Sequence, residues 1–250
     1  MEQEFKKIID EFIKINKRGY IKSINDQINS CGLTLEHLLG KEADSLFLPD
    51  YNGVEIKTTT RFSRYNISLF SLSFDGPNLF ESNYLLEKYG SVDDEFSNKK
   101  KLFVNLKVNE KILVNDEYYF EFKIDYENEK LYIRIYDKNM NFIEDSAFIY
   151  FDTLKKRAEI KLNKMALIYA SKRKTCDNLF YRYYRIECFK YKGFSDFLSL
   201  LESGIIKAKI ILRFARSGND IGKNKNKNMC FTIIKRRVNK LFNTVFEYEN

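Results

Sequence analysis

Phe5, Ile8, Ile9, Phe12 and Ile13 recur at the spacing of one helix face, so the chain opens with an amphipathic helix that Gly19 ends or closely follows. A short second helix is predicted over residues 34–39. Thr34 stands at its N-cap, Gly40 is its stop, and Leu35, Leu38 and Leu39 face a core. The turn-rich stretch Pro49-Asp50-Tyr51-Asn52-Gly53 leads into residues 54–59, whose alternation and β-branching indicate a strand. Residues 67–74 read as another strand, broken by Gly76-Pro77-Asn78, and residues 79–89 as a helix stopped by Gly90. Phe120, Phe122, Ile124 and Tyr126 alternate with charged residues, as do Leu131, Ile133 and Ile135 after a polar turn at 127–130, which makes a hairpin. Further strands are expected near 148–151, 165–170, 179–189, 205–214 and 230–234, and helices near 153–162, 195–203 and 235–246. There is no internal repeat and no low-complexity linker, so the expectation is two packed lobes sharing one core.

Composition narrows the chemistry. Of 250 residues, 44% are hydrophobic and 31% charged, as in a folded globular protein without membrane spans. The polar, acidic start is unlike a secretory signal, so a cytoplasmic location is expected. Cys31, Cys176, Cys188 and Cys230 lack the close spacing of zinc ligands and are expected to be reduced thiols, mostly in the core. His37 is the single histidine, which excludes sites built on two or more. Its own plainest reading is a packed or surface residue. The net charge is +8, but residues 153–240 alone hold 23 Lys and Arg against 6 Asp and Glu, leaving the rest net acidic. So basic a stretch suits a polyanion, whose condensed counterions are released on binding.

The sharpest candidate site is Asp50 followed by Glu55-Ile56-Lys57. Side chains alternate along a strand, so Glu55 and Lys57 share one face while Val54 and Ile56 anchor the other. Gly53 lets the chain bend back and bring Asp50 near. Asp50, Glu55 and the Ile56 carbonyl then suffice for Mg²⁺, which retains several waters and takes few protein ligands. Lys57 would position or help deprotonate a metal-bound water, with no histidine needed. By spacing alone, a solvated strand with a Glu55–Lys57 ion pair is the commoner origin of such a pattern.

The wider string from Gly32 to Gly40, with Thr34-Leu35-Glu36-His37 within it, and then Asp50-Tyr51-Asn52-Gly53-Val54-Glu55-Ile56-Lys57-Thr58-Thr59, resembles the MutH-like branch of the PD-(D/E)xK nucleases. It is most similar to the MvaI/BcnI restriction endonuclease family. Ser68-Leu69-Phe70-Ser71, Asp75-Gly76-Pro77, Leu86 to Gly90, Phe151-Asp152-Thr153-Leu154 and Lys172-Arg173-Lys174 carry the likeness across most of the chain. The resemblance implies a mixed α/β, restriction-endonuclease-like sheet core flanked by helices, its two lobes forming a DNA cleft. Residues 1–115 would form the catalytic lobe and 116–250 mostly the recognition lobe. It implies Asp50 and Glu55 as metal-binding acids, Lys57 as the catalytic lysine and Glu36 as a helix-borne glutamate near the metal. The cofactor would be Mg²⁺, with Mn²⁺ as a substitute. Read from Glu36 alone, a solvent-facing helix glutamate serves equally well.

The implied activity is a type II restriction endonuclease cutting double-stranded DNA at a short specific sequence, acting as a monomer beside a protective DNA methyltransferase. A MutH-like mismatch-repair nickase and a non-catalytic DNA-binding protein are the alternatives. For DNA contacts, Gly204 to Lys240 holds 11 basic residues and one acid. Arg213, Arg216, Lys223, Lys225 and Lys227, around a polar loop at 217–228, are the candidates to meet phosphates or base edges, and a plain surface loop is the even alternative. Arg61 and Arg64, just after the catalytic strand, would hold the backbone near the scissile phosphate.

Overall fold

A computed structural model describes residues 2–40, 48–76, 84–216 and 221–250. Its elements, in chain order, begin with α1 (Gln3–Lys17), β1 (Ile21–Lys22), α2 (Ser30–Leu38), β2 (Glu55–Thr60), β3 (Ile67–Leu72), α3 (Tyr84–Tyr89), β4 (Ser91–Val92) and β5 (Lys100–Leu106). Then follow β6 (Lys111–Val114), β7 (Tyr118–Asp125), β8 (Lys130–Asp137), β9 (Phe142–Tyr150), α4 (Phe151–Leu162), β10 (Lys164–Lys174) and β11 (Leu179–Tyr191). The chain ends with α5 (Phe194–Glu202), β12 (Ile206–Leu212), β13 (Asn228–Ile233), α6 (Val238–Leu241) and β14 (Phe242–Glu249). Packing divides it into two compact units: Met1–Ile67, Ala158–Gly193 and Lys235–Asn250 form unit 1, and Ser68–Arg157 with Phe194–Ile234 form unit 2. By packing, residue 115, the expected edge of the catalytic lobe, lies inside unit 2.

In unit 1, β10 pairs antiparallel with β11 and parallel with β2, which is the edge strand. β1 and β14 share the other side of β11. The buried stripe of α1 (Phe5, Ile8, Ile9, Phe12, Ile15) packs in one cluster with Leu35 of α2 and with Val54, Ile56, Ala166, Ile168 and Ala170 of the sheet. The buried polar groups in this layer have partners. Asn16 donates to the Tyr183 carbonyl at 2.8 Å, and the Tyr183 hydroxyl donates to the Cys31 carbonyl at 2.8 Å. At Gly32, α2 passes close to β2: a Cβ there would stand 3.3 Å from the Thr58 hydroxyl oxygen, a tight contact that the glycine avoids. Unit 2 holds a sheet of order β3-β13-β12-β5-β4 and a four-stranded meander β6-β7-β8-β9, whose β7–β8 pair is the hairpin expected across the 127–130 turn.

Two expectations are corrected. The helix placed at 34–39 begins a turn earlier, at Ser30. Thr34 is buried inside it, and its hydroxyl accepts the Ile24 N–H and meets the Ser23 hydroxyl, both at 3.3 Å, so it ties down the preceding segment and caps nothing. The helix expected over 235–246 stops at Leu241. Residues 242–249 pair instead along β11, from Phe242 opposite Tyr191 to Glu249 opposite Arg185. Phe246 and Tyr248 lie against the unit 1 core, and such aromatic residues suit a pleated surface better than a helix once a partner strand is at hand. Strands β4 to β6 lie between the expected elements, although Leu102, Val104 and Leu106 of β5 are buried in strict alternation. The helix expected over 79–89 is described from Tyr84 to Tyr89, and its first part lies outside the described residues.

Candidate active site

Tyr51 and Val54 exchange both backbone hydrogen bonds, N–H of Val54 to the Tyr51 carbonyl at 2.8 Å and the reverse at 3.0 Å. Asn52 and Gly53 between them have φ of 46° and 82°. Positive φ at both central residues is the type I′ turn, whose twist matches the strands it joins, and Asn-Gly is its preferred sequence. The turn folds the chain back on itself, so Asp50 lies along the outer edge of β2 and its Oδ2 accepts the Ile56 N–H at 3.0 Å. A strand residue points its N–H and C=O to the same side. The Ile56 carbonyl therefore faces the open edge that Asp50 borders, away from β10.

Alternation along β2 then does what the sequence requires. Val54 and Ile56 sink into the core, while Glu55 and Lys57 share the opposite face, Lys57 Nζ donating to Glu55 Oε1 at 2.5 Å. The Glu55 side chain is only 4% exposed and that of Lys57 is 21% exposed. A buried carboxylate needs compensation by charge as well as by hydrogen bonds. Lys57 supplies part of it. The rest comes from a residue that sequence reasoning missed: Lys161 of α4, whose Nζ donates to Glu55 Oε2 at 3.0 Å and to the Leu48 carbonyl at 2.7 Å. Its signal was present in the pattern. Leu154, Ala158, Lys161 and Leu162 fall at i, i+4, i+7 and i+8, so this lysine sits in the apolar stripe of α4, where a lysine stays only if something anionic waits beneath it.

Among the expected site residues, the structure thus brings together Asp50, Glu55, Ile56 and Lys57. Glu36 is placed differently. Its Oε1 and the Thr58 hydroxyl both border the space beside Gly32, which puts Glu36 on the Thr58 side of β2, opposite the Glu55–Lys57 face. Among the described residues no group of three or more His, Cys, Asp and Glu side chains forms a metal-binding cluster. What the strand offers is the Asp50 carboxylate and the Ile56 carbonyl at its edge, with the Glu55 carboxylate on the adjoining face. That is a hard-oxygen set in the range a hydrated divalent cation accepts, and two ammonium groups on Glu55 show how much positive charge the place already calls for. With a cation held there, the site could activate a water beside Lys57. His37 is exposed on the last turn of α2 and is not part of this set.

The expected DNA contacts fall in two groups. Arg61 and Arg64 are exposed on the loop that leaves β2. In unit 2 the segment after β12 is less of a loop than its composition suggests. Lys227 N–H bonds the Ile211 carbonyl, Lys225 N–H the Arg213 carbonyl and Ala215 N–H the Lys223 carbonyl, at 2.8–2.9 Å, so the β12–β13 ladder runs on irregularly. The Lys-Asn alternation of residues 223–228 thereby acquires a meaning. Lys223, Lys225 and Lys227 are all exposed, while the Asn226 side-chain oxygen Oδ1 accepts the Arg213 N–H and the Asn228 side-chain amide donates to the Ser73 hydroxyl. Arg216 is held by Asp93 at 3.0 Å and Glu95 at 3.2 Å. Backbone N–H groups, that of Glu95 first, together with Arg216 hold the Asp93 carboxyl below its usual range. Arg213 is half-buried. Residues 217–220 of the expected loop lie outside the described residues. Cys31, Cys188 and Cys230 are buried and Cys176 exposed, all as free thiols. No helix among the described residues is long and apolar enough to cross a membrane.

A family model described as the MvaI/BcnI restriction endonuclease family matches residues 9–242. A solved structure of restriction endonuclease MvaI in complex with its cognate DNA substrate is similar with a TM-score of 0.88 and 25% identity, over 98% of each chain. A structure of MvaI in the absence of DNA gives a TM-score of 0.58 and 24% identity over 98% of this chain and 97% of that one. No curated protein sequence matches. The mixed α/β restriction-endonuclease-like fold expected from the sequence is the fold found.

Proposed function

The chain belongs to the MvaI/BcnI restriction endonuclease family, a family of DNA-cutting enzymes, and from that premise we propose that the edge of β2 is a Mg²⁺-dependent centre hydrolysing phosphodiester bonds of double-stranded DNA at a short specific sequence. The observation that carries this reading is that the Asn52-Gly53 turn folds Asp50 back onto the Ile56 N–H, between the residues of the Glu55–Lys57 pair on the same strand. Asp50, Glu55 and the Ile56 carbonyl would hold the cation, with Mn²⁺ as a substitute. When bound, it supplies a lowered water pKa and charge neutralisation at the attacked phosphate.

The chain's own residues do the rest. Asp50 is oriented by the Ile56 N–H and so presents its carboxylate to the open edge. Glu55 is fixed from behind by Lys161, which leaves Lys57 as the more exposed of its two lysines. Lys57 orients the attacking water and takes up or relays its proton. Glu36, borne on α2 beside Gly32 and Thr58, is the helix glutamate that would act on the cation directly or through water. Arg61, Arg64, Arg213, Lys223, Lys225 and Lys227 are the phosphate and base contacts in this reading, and Arg216 positions its strand through Asp93. The DNA methyltransferase that protects the host's sites is the genetic partner, and the enzyme works in the cytoplasm as a monomer.

The test is incubation of the purified protein with plasmid and genomic DNA, in Mg²⁺ and in chelator. Discrete fragments in Mg²⁺ alone, without partner proteins, support the proposal. Nicking that requires mismatch-repair proteins supports a repair nickase instead, and binding without cleavage in any metal makes the acids structural.

A further inference from the structure

Phe62 and Tyr65 are 88% and 75% exposed, more than any other aromatic side chain among the described residues. Both stand on the short loop that leaves β2, and that loop is fastened. Arg61 N–H bonds the Ala170 carbonyl at 3.0 Å, Ser63 N–H the Thr60 carbonyl at 3.0 Å, and Tyr65 N–H the Ser63 hydroxyl at 3.3 Å. The rings are therefore held outward on a defined backbone. Single exposed apolar residues are commonplace, but two on one anchored turn leave a large apolar area in water.

The surroundings say what would cover it. Arg61 and Arg64 alternate with the rings, and the Arg61 guanidinium lies 5.7 Å from the Phe62 ring centre. Exposed Lys172, Arg173 and Lys174 end the neighbouring strand β10, and Lys235 donates to the Thr60 carbonyl at 3.3 Å. Between Ile56 and Phe74, and between Lys164 and Lys174, there is no Asp or Glu. Among the described residues Lys235 has no carboxylate within ion-pairing distance. It rests on the Thr60 carbonyl and 5.3 Å from the Tyr169 ring centre, and burial holds its ammonium below the usual lysine range. Glu187, which accepts from the Tyr169 hydroxyl at 2.5 Å, is a carboxylate whose field reaches Lys235. Six cations near two projecting rings, on stretches of chain that carry no acid of their own, match the chemistry of a nucleic-acid strand: phosphates for the rim, base faces for the rings. The strand geometry supplies the distance. Thr60 lies three residues beyond Lys57, about 10 Å along β2, which is roughly three base steps of a duplex.

We propose that Phe62 stacks on, or wedges between, bases of the bound DNA about three steps from the cleaved phosphate, with Tyr65 beside it and the Arg61, Arg64 and Lys235 cations on the flanking phosphates. The proposal rests on the nuclease reading above. Inserted apolar side chains of this kind unstack a step and bend a duplex, so the loop would contribute to sequence choice through DNA deformability as well as to affinity.

The test uses wild-type protein, Phe62→Ala and Phe62→Trp, with thermal melts to show that all three fold. The probe is a set of duplexes carrying the sequence read from the ends of wild-type plasmid fragments, with 2-aminopurine placed at successive positions, bound in Ca²⁺. The expected result is a fluorescence change confined to positions two to four steps from the cut. Phe62→Ala should abolish it and Phe62→Trp keep it, with affinity falling about 5- to 100-fold in the alanine variant, as loss of one stacked base does. The salt dependence of binding should be unchanged by Phe62→Ala and less steep by about one ion in Lys235→Gln. An alanine variant with wild-type fluorescence and affinity overturns the proposal while leaving the nuclease reading intact. A Phe62→Ala effect on self-association in place of DNA binding overturns it in favour of a protein interface. If wild-type protein yields no fragments, the nuclease reading fails and takes this inference with it.

Discussion

Glu55 carries two lysines, and the two differ in what they are for. Lys57 follows from the strand alternation, since residues two apart on β2 must share a face, and it is the more exposed. Lys161 arrives from 106 residues away in sequence and is legible only as a lysine in the apolar stripe of α4. That stripe reveals its burial but not its partner, because which strand α4 covers depends on long-range packing. Lys161→Met should lower stability by about 1–3 kcal/mol, since it leaves Glu55 short of a charged partner in a dry place. In urea melts the double variant Glu55→Gln/Lys161→Met should recover much of that loss. If the two losses simply add, Lys161 is not compensating Glu55. Glu36 shows the opposite limit. Its membership in the motif could be read from the chain, but its side of β2 could not, because that is fixed by how closely α2 settles over β2 at Gly32.

At the scale of elements, the Asn52-Gly53 turn is the device that makes a site out of a motif. Asn-Gly before an alternating run is a strong local signal, and both residues adopt positive φ as it demands. Gly53→Ala forces a side chain into that backbone region and should cost about 1 kcal/mol. If the turn positions Asp50, cleavage should fall further than stability does. Equal cleavage by the variant at a temperature where it is folded would show that Asp50 does not depend on the turn. Local signals of this strength make α1, β2 and the β7–β8 hairpin legible in the chain itself. They fail for β14, where helical and extended patterns are both acceptable over a few residues and pairing with β11 decides. They also fail for residues 223–228, where alternation of Lys with Asn is a strand pattern concealed by its polarity.

Over the whole molecule, charge organises each unit differently. In unit 2, Glu144 of β9 gathers Tyr84, Lys88 and Tyr89 of α3 and Ser146 of its own strand. Burial pushes the Glu144 carboxyl up, but Lys88 with the three hydroxyls outweighs it and holds the carboxyl at about 2. The folded value is depressed below the ordinary 4.5, so the associated stability is present above pH 4.5 and drains away as pH falls toward 2. Glu144→Gln should therefore be less stable than wild type at pH 7, by on the order of 1–3 kcal/mol, with the difference shrinking between pH 4.5 and pH 2. Melts of both proteins across that range check it, and a pH-independent difference would assign Glu144 a packing role only. The basic stretch 153–240 contributes to both units, so the polyanion preference read from composition belongs to the molecule and not to one segment.

The measurement that bears most directly on the proposed centre is cleavage and binding of one DNA by Lys57→Ala beside wild type, in Mg²⁺ for cutting and Ca²⁺ for affinity. The expected outcome is loss of cleavage by at least about a hundredfold, the usual reach of a positioned acid–base group, with affinity kept within a few-fold. Fragments produced at the wild-type rate by that variant would place the chemistry somewhere other than the open edge of β2.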